Sequence, residues 1–194
     1  MAHVTIPEQG RRLDNPDHIR DFLALHGIWY ECWDVAGRVD PEASSETILS
    51  AYGPEVARLR ERGGYVTADV IDVTPDLPGL DAMLERFNKE HTHDEDEVRF
   101  IVKGRGVFHI NPMSAPVFAI ELDAGDLINV PAGIRHWFDL CADRTIRAIR
   151  LFREKSGWTP HYVAGGVHAR YVPVCWGPSD IPPGTGRLEP AVRP

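Results

Sequence analysis

Between Val98 and Phe152 the chain breaks into short apolar runs, 98–102, 106–110, 117–122, 126–130, 136–140 and 145–152, each closed off by Gly, Pro, Asn or Asp. Runs this short and this evenly spaced cannot bury themselves as helices; they specify antiparallel strands that fold back on one another as a barrel or sandwich. The second half of the chain is therefore expected to be an all-β core. Gly104 and Gly106 read most simply as the turn of a hairpin between the first two runs, and Asn111-Pro-Met-Ser-Ala-Pro116 as the hairpin that follows.

Upstream the period changes to that of helices. Asn15 as a cap, Pro16 at the first helical position, apolar Ile19, Phe22, Leu23 and Leu25, and Gly27 beyond the end mark a short amphipathic helix. A strand is expected over 28–33, a second helix over 45–62 broken at Gly53-Pro54, and a strand over 65–73. Leu80, Met83, Leu84 and Phe87 then predict a third helix running straight into His91. With 194 residues, one domain over 1–175 is expected. The stretch 176–194 has Pro at 178, 182, 183, 190 and 194 and is expected to be an extended or disordered tail.

A net charge of -8 argues against nucleic acid or an anionic membrane as partner, since both need clustered Lys and Arg, and favours a small molecule. Met1 to Arg12 lacks the apolar core of a signal peptide and no 18 apolar residues run together, so a cytoplasmic, non-membrane protein is expected. Cys32, Cys141 and Cys175 are scattered, odd in number and without C-x-x-C spacing, which supports neither a disulfide framework nor a zinc ribbon. No G-x-G-x-x-G follows a strand to hold a nucleotide cofactor.

The chemistry concentrates in His91-Thr-His93-Asp-Glu-Asp-Glu97. Alternate side chains of a strand share a face, so 91, 93 and 97 can point one way, and Glu95 shares that parity as a rival to Glu97. Glu97 is preferred because it opens an apolar strand and is better fixed. A fourth ligand, His136, follows the turn made by Pro131 and Gly133. Three imidazoles and a carboxylate suit a first-row divalent ion such as Fe(II), Ni, Mn, Co or Zn, and not Mg or Ca. Four protein ligands leave two octahedral positions for a chelating substrate. Read singly, His91 and His93 could instead be surface residues and His136 a core histidine.

Arg99 has ligand-face parity two residues past Glu97, where an unpaired cation inside a barrel is costly. A bound anion would satisfy it; so would a salt bridge to Asp96 or Glu121. Phe87 and Trp158 are core aromatics by default. Arg150 shares a strand face with Ile146 and Phe152, and Arg147 lies on the other. His109, His161 and His168 fit no motif and read as surface or loop residues, and Lys155 as a solvated charge.

The two blocks, H-x-H-x-x-x-E with Gly104 seven residues on and G-x-x-x-x-x-P-x-G-x-x-H, resemble the paired motifs of the cupin superfamily. That resemblance implies a jelly-roll β-barrel with the N-terminal α-helices at its periphery. The wider text is more specific: Phe87-Asn-Lys-Glu-His91-Thr-His93, Asp96-Glu97-Val98-Arg99-Phe100, Gly125-Asp-Leu-Ile, Pro131-Ala-Gly133, His136, and Arg150-Leu-Phe152 to Trp158-Thr-Pro160. Over about residues 65–162 it is similar to the acireductone dioxygenase family.

The likeness implies one Fe(2+) or Ni(2+) per chain on His91, His93, Glu97 and His136, with Arg99 as a catalytic substrate contact. Phe87, Arg150 and Trp158 would join Arg99 in binding substrate. The implied reaction is O2-dependent oxidation of 1,2-dihydroxy-3-keto-5-methylthiopentene in methionine salvage. With iron the products are formate and 2-keto-4-methylthiobutyrate; with nickel they are formate, carbon monoxide and methylthiopropionate. The hairpin 111–116 and the Pro-rich tail depart from the family pattern. Rival readings are another cupin enzyme, such as a quercetin-type dioxygenase or sugar isomerase, and a metal-binding sensor without turnover.

Overall fold

The structure, a computed structural model, describes residues 1–154 and 158–176, so the tail beyond Trp176 and Lys155 lie outside the described residues. The strands are β1 (His3–Ile6), β2 (Arg11–Leu13), β3 (Trp29–Cys32), β4 (Thr67–Val73), β5 (His91–Thr92), β6 (Glu97–Asn111), β7 (Phe118–Asp123), β8 (Asp126–Val130), β9 (Arg135–Leu140), β10 (Ile146–Phe152) and β11 (His161–Tyr162). The helices are α1 (Pro16–Ala24), α2 (Ser45–Ala51), α3 (Gly53–Gly63) and α4 (Leu80–Leu84). Every strand pairing among the described residues is antiparallel. Two sheets, β11-β5-β9-β6-β7-β1-β2 and β4-β10-β6-β8-β3, share β6 and form the jelly-roll barrel of a cupin.

The sharing of β6 corrects the expected hairpin at Gly104 and Gly106. The strand runs on through both glycines, pairing with β8 and β10 in its first half and with β7 and β9 in its second. A register shift against β10 at Arg147/Ala148 and a φ of 74° at Gly104 turn it from one sheet into the other. A Cβ on Gly104 would strike the Thr145 carbonyl, and one on Gly106 the Phe138 ring, so the corner needs both glycines. Parity flips there. Ile101 faces the barrel core before the corner, whereas Phe108 and Ile110 face it afterwards. Val98, Phe100 and Val102 point the other way and pack under Ile48 and Tyr52 of the α2–α3 layer.

At α1, the Asn15 side chain accepts from the Asp17 and His18 amides, and Gly27 at φ 73° lets the chain reverse into β3. The break at Gly53-Pro54 separates α2 from α3. The third helix is shorter than its apolar spacing implies. It ends at Leu84 and gives way to tight turns (Arg86 N to Met83 O, Phe87 N to Leu84 O), which deliver the Phe87 carbonyl to the Phe138 amide at 2.8 Å. A helix continued to His91 would keep that carbonyl for itself.

Two further expectations are overturned. Cys141 and Cys175 are disulfide-bonded, Cα to Cα 5.9 Å, because the C-terminal segment folds back over the outer face of the barrel; spacing along the chain carried no hint of it. His109 is no surface residue. It is 2% exposed and lies flat on Trp137 on that same outer face, centroids 4.8 Å apart at 7°. No helix among the described residues is long and apolar enough to cross a membrane.

Candidate metal centre

His91 and His136 face each other as cross-strand partners of β5 and β9. His93 follows β5, its carbonyl fixed by the Gly133 amide at 3.0 Å, and Glu97 opens β6. The ligating atoms of His91, His93, Glu97 and His136 lie within 4.8 Å of one another, and all four residues are buried.

The hydrogen bonds around this cluster test its fitness for an ion. The Nδ1 atoms of His91, His93 and His136 sit 2.6, 3.2 and 2.8 Å from the carbonyls of Lys89, Thr159 and Ile134. A carbonyl only accepts, so each Nδ1 carries the proton and each Nε2 presents a lone pair. The Nε2 atoms of His91 and His93 have no hydrogen-bond partner. Glu97 Oε2 stands 3.0 Å from Nε2 of His136 and 3.1 Å from that of His93. Lone pairs facing a carboxylate at those distances repel unless a cation lies among them. The donor set fits a borderline divalent ion, and the carbonyl anchors are those that orient metal-bound imidazoles. Burial, with His136 beside it, pushes His91 down to about 4, which keeps it in the neutral form that can coordinate. Burial alone would raise Glu97, but the Arg99 guanidinium beside it overcomes this and holds the carboxyl well below its usual range.

Arg99 is 5% exposed, and its Nε stands 2.6 Å from Glu97 Oε1, off the line of a hydrogen bond. Its charge partner is thus Glu97, neither Asp96 nor Glu121. The guanidinium lies over Phe138, Phe108 and Trp158, 4.7, 5.3 and 5.6 Å from their centroids. Arg150 is its cross-strand neighbour on the inner face and forms a two-pronged pair with Asp69, 2.9 Å on each prong. Arg147 is on the outer side, bonded to the Pro41 carbonyl. Phe87, Arg99 and Arg150 border a small cavity of about 30 Å³ closed by Met83, Leu84 and Phe138. Trp158 stacks on His93 at 6.2 Å and 17°, its indole donating to the Asp96 carbonyl.

Glu95 turns away from the four, accepting from the amides of Arg153 and Glu154. Sequence reasoning missed Asp96 as a clamp. Its carboxylate takes the Tyr65 hydroxyl, the Ala132 amide and Arg153, tying the loop before Glu97 to the turn before His136. No local signal marked it, because its partners come from residues 65, 132 and 153. His161 is at the surface on Asp94, and His168 edges Trp137.

A buried cradle of three histidines and one glutamate inside a jelly-roll barrel defines a metal-dependent enzyme of the cupin class. Residues 7–160 match the ARD/ARD' family. The chain is 42% identical over 171 residues to the acireductone dioxygenase of Picosynechococcus sp., covering 88% of this chain and 97% of that one. It is 41% identical over 176 residues to the acireductone dioxygenase of Methylococcus capsulatus, covering 88% and 94%. Acireductone dioxygenase from Bacillus anthracis, solved with a cadmium ion in its active centre, superposes with a TM-score of 0.79 at 38% identity, covering 84% of this chain and 98% of that one. The chain belongs to the ARD/ARD' family, the acireductone dioxygenases.

Proposed function

We propose that this chain oxidises 1,2-dihydroxy-3-keto-5-methylthiopentene with O2 in methionine salvage, at one ion held by His91, His93, Glu97 and His136. The observation that carries the reading is the convergence of three lone-pair nitrogens and a carboxylate beside a buried arginine. Iron(II) or nickel(II), held by these four residues, would supply a Lewis acid for the substrate's oxygens.

The remaining work falls to the chain itself. Arg99 is a fixed positive charge in a desolvated setting, walled by Phe108, Phe138 and Trp158, so it favours the deprotonated enediol over the neutral one. Its Nε faces Glu97, and Arg99 borders the cavity together with Arg150. Arg150, held by Asp69, adds a second positive charge on that side. Phe87 lines the cavity and Trp158 covers His93, and the apolar lining by Met83 and Leu84 suits the methylthio end of the substrate. A cytoplasmic setting fits this reading.

Oxygen uptake by metal-loaded protein with a synthetic acireductone is the test. Turnover with one equivalent of metal per chain is expected; loaded protein that consumes no oxygen ends the assignment.

A further inference from the structure

On the outer face of the first sheet, across β6 and β9 from the metal centre, lies a second convergence of metal-ligating atoms. Glu121 of β7, Cys141 just past β9 and Cys175 of the C-terminal segment bring a carboxylate oxygen and two sulfurs within 4.8 Å of one another. Glu121 is 3% and Cys141 4% exposed, and the sulfurs rest on Val107 and Ala119. The proposed activity uses none of these residues.

In the structure the two sulfurs are joined. Other contacts hold the C-terminal segment independently of that bond. The Trp176 amide donates to Glu121 Oε2 at 2.5 Å, and Arg12 lies over the Trp176 ring at 4.3 Å. Tyr171 donates to Glu8 at 2.6 Å and sits against Trp137, centroids 5.8 Å apart. Breaking the disulfide therefore leaves Cys175 beside Cys141 and Glu121, its ligand atoms already gathered.

We propose that Cys141, Cys175 and Glu121 form a second metal site that opens when the disulfide is reduced and takes a thiophilic divalent ion, zinc or cadmium. An external dithiol breaks the Sγ–Sγ bond by exchange, delivering two electrons and two protons, and itself closes to a cyclic disulfide. Binding of the ion then displaces those two thiol protons, so the thiolates are the ligands. The Trp176 amide on Glu121 acts as the supporting hydrogen bond that carboxylate ligands commonly receive. The fourth position goes to water, the open-sided arrangement zinc adopts with three protein ligands. Two sulfurs and one oxygen select softer ions than the three nitrogens and one oxygen of the inner face, so the two sites sort metals by ligand chemistry. In a reducing compartment the open form is the prevailing one.

The test uses metal-loaded Cys32→Ser protein, which removes the third thiol while leaving the site intact. Half is kept oxidised; half is reduced with a dithiol and desalted without air. Each is titrated with cadmium while the ultraviolet thiolate-to-cadmium absorption is recorded. The inner site holds no thiolate, so the band reports only the outer one, whether or not the protein oxidises acireductones. The expected result is no band in the oxidised form and one saturating at one cadmium per chain in the reduced form. Cys175→Ser should lose most of that absorption, and Glu121→Gln should weaken binding about ten-fold or more. Absence of the band in reduced protein overturns the proposal, as does a band undiminished in Cys175→Ser.

Discussion

Strands β6 and β9 carry different chemistry on their two faces, and their two buried histidines show how different. His136 on the inner face and His109 on the outer are 1% and 2% exposed. His136 has Nδ1 pinned to a carbonyl and Nε2 aimed at Glu97 among other lone-pair donors. His109 lies flat on Trp137, and its Nδ1 has no hydrogen-bond partner, the Asp139 carboxylate being 3.6 Å off. Burial pushes His109 down to about 4 and Asp139 up to about 6, so each is driven toward neutrality rather than recruited. Burial of a histidine is thus no signal of ligation. Convergence of its free nitrogen with others, enforced by an anchored partner nitrogen, is.

The contrast can be broken most sharply at the ligands. His136→Ala is expected to cost at least ~100-fold in metal affinity and abolish turnover with the fold kept, read by elemental analysis and circular dichroism. Stoichiometric metal in that variant would remove the distinction between the faces. Next comes exchange of the ion in one polypeptide. Stripped protein reloaded with nickel should release carbon monoxide and protein reloaded with iron should not, measured in the headspace under air; equal release from both would show that the inner face does not hand the branch to the ion.

Arg99→Ala should retain metal yet lose on the order of 10²-fold in kcat, the scale of one preorganised charge at a developing anion. Activity within a few-fold of the parent would make Arg99 a mere counter-ion for Glu97. On the outer face, Trp137→Ala should leave metal content and kcat alone while costing about 3 kcal/mol of stability in a urea titration, as for any large buried aromatic. A fall in kcat with unchanged stability would reverse the roles of the faces.

The smallest effect is one of pH. His109, depressed in the folded state, withdraws stability as pH falls from about 6.5 toward 4, because the unfolded chain takes up its proton first. Asp139, raised in the folded state, contributes most below about 3.9 and loses that contribution as pH climbs through about 6. The two oppose each other in the parent. In His109→Gln only the second remains, so stability relative to the parent should rise as pH drops from 6.5 to 4. A difference independent of pH over that window would show that His109 is not buried as the neutral form.

The strands were legible as short apolar runs closed by turn residues, and the cradle as two short motifs rich in ligating side chains. Shared parity is not what gathers 91, 93 and 97: His91 lies on β5, His93 in the loop after it and Glu97 at the start of β6, while Glu95 of the same parity turns away. Parity did separate Arg150 from Arg147. It failed where the register changed: nothing in Lys103-Gly-Arg-Gly106 distinguishes a corner within one strand from a turn between two, since both need glycine. Contacts set by the return of the C-terminal segment, Cys141 with Cys175 and Trp176 with Glu121, were equally hidden, because they join residues 34 and 55 positions apart with no motif between them. Asp96 was misjudged for a similar reason: its partners Tyr65 and Arg153 are far along the chain, just before β4 and just after β10.

The turn of β6 at Gly104 bears on how the molecule opens. One strand belongs to both sheets, so opening of either is expected to disturb the strand on which the other is built. Amide protons of Ile101 and Phe108, on either side of the corner, should therefore exchange with solvent deuterium at one common rate, the rate of whole-barrel opening. A common rate would mean that the cradle and the outer face open as a single cooperative unit, and two distinct rates would mean that they do not.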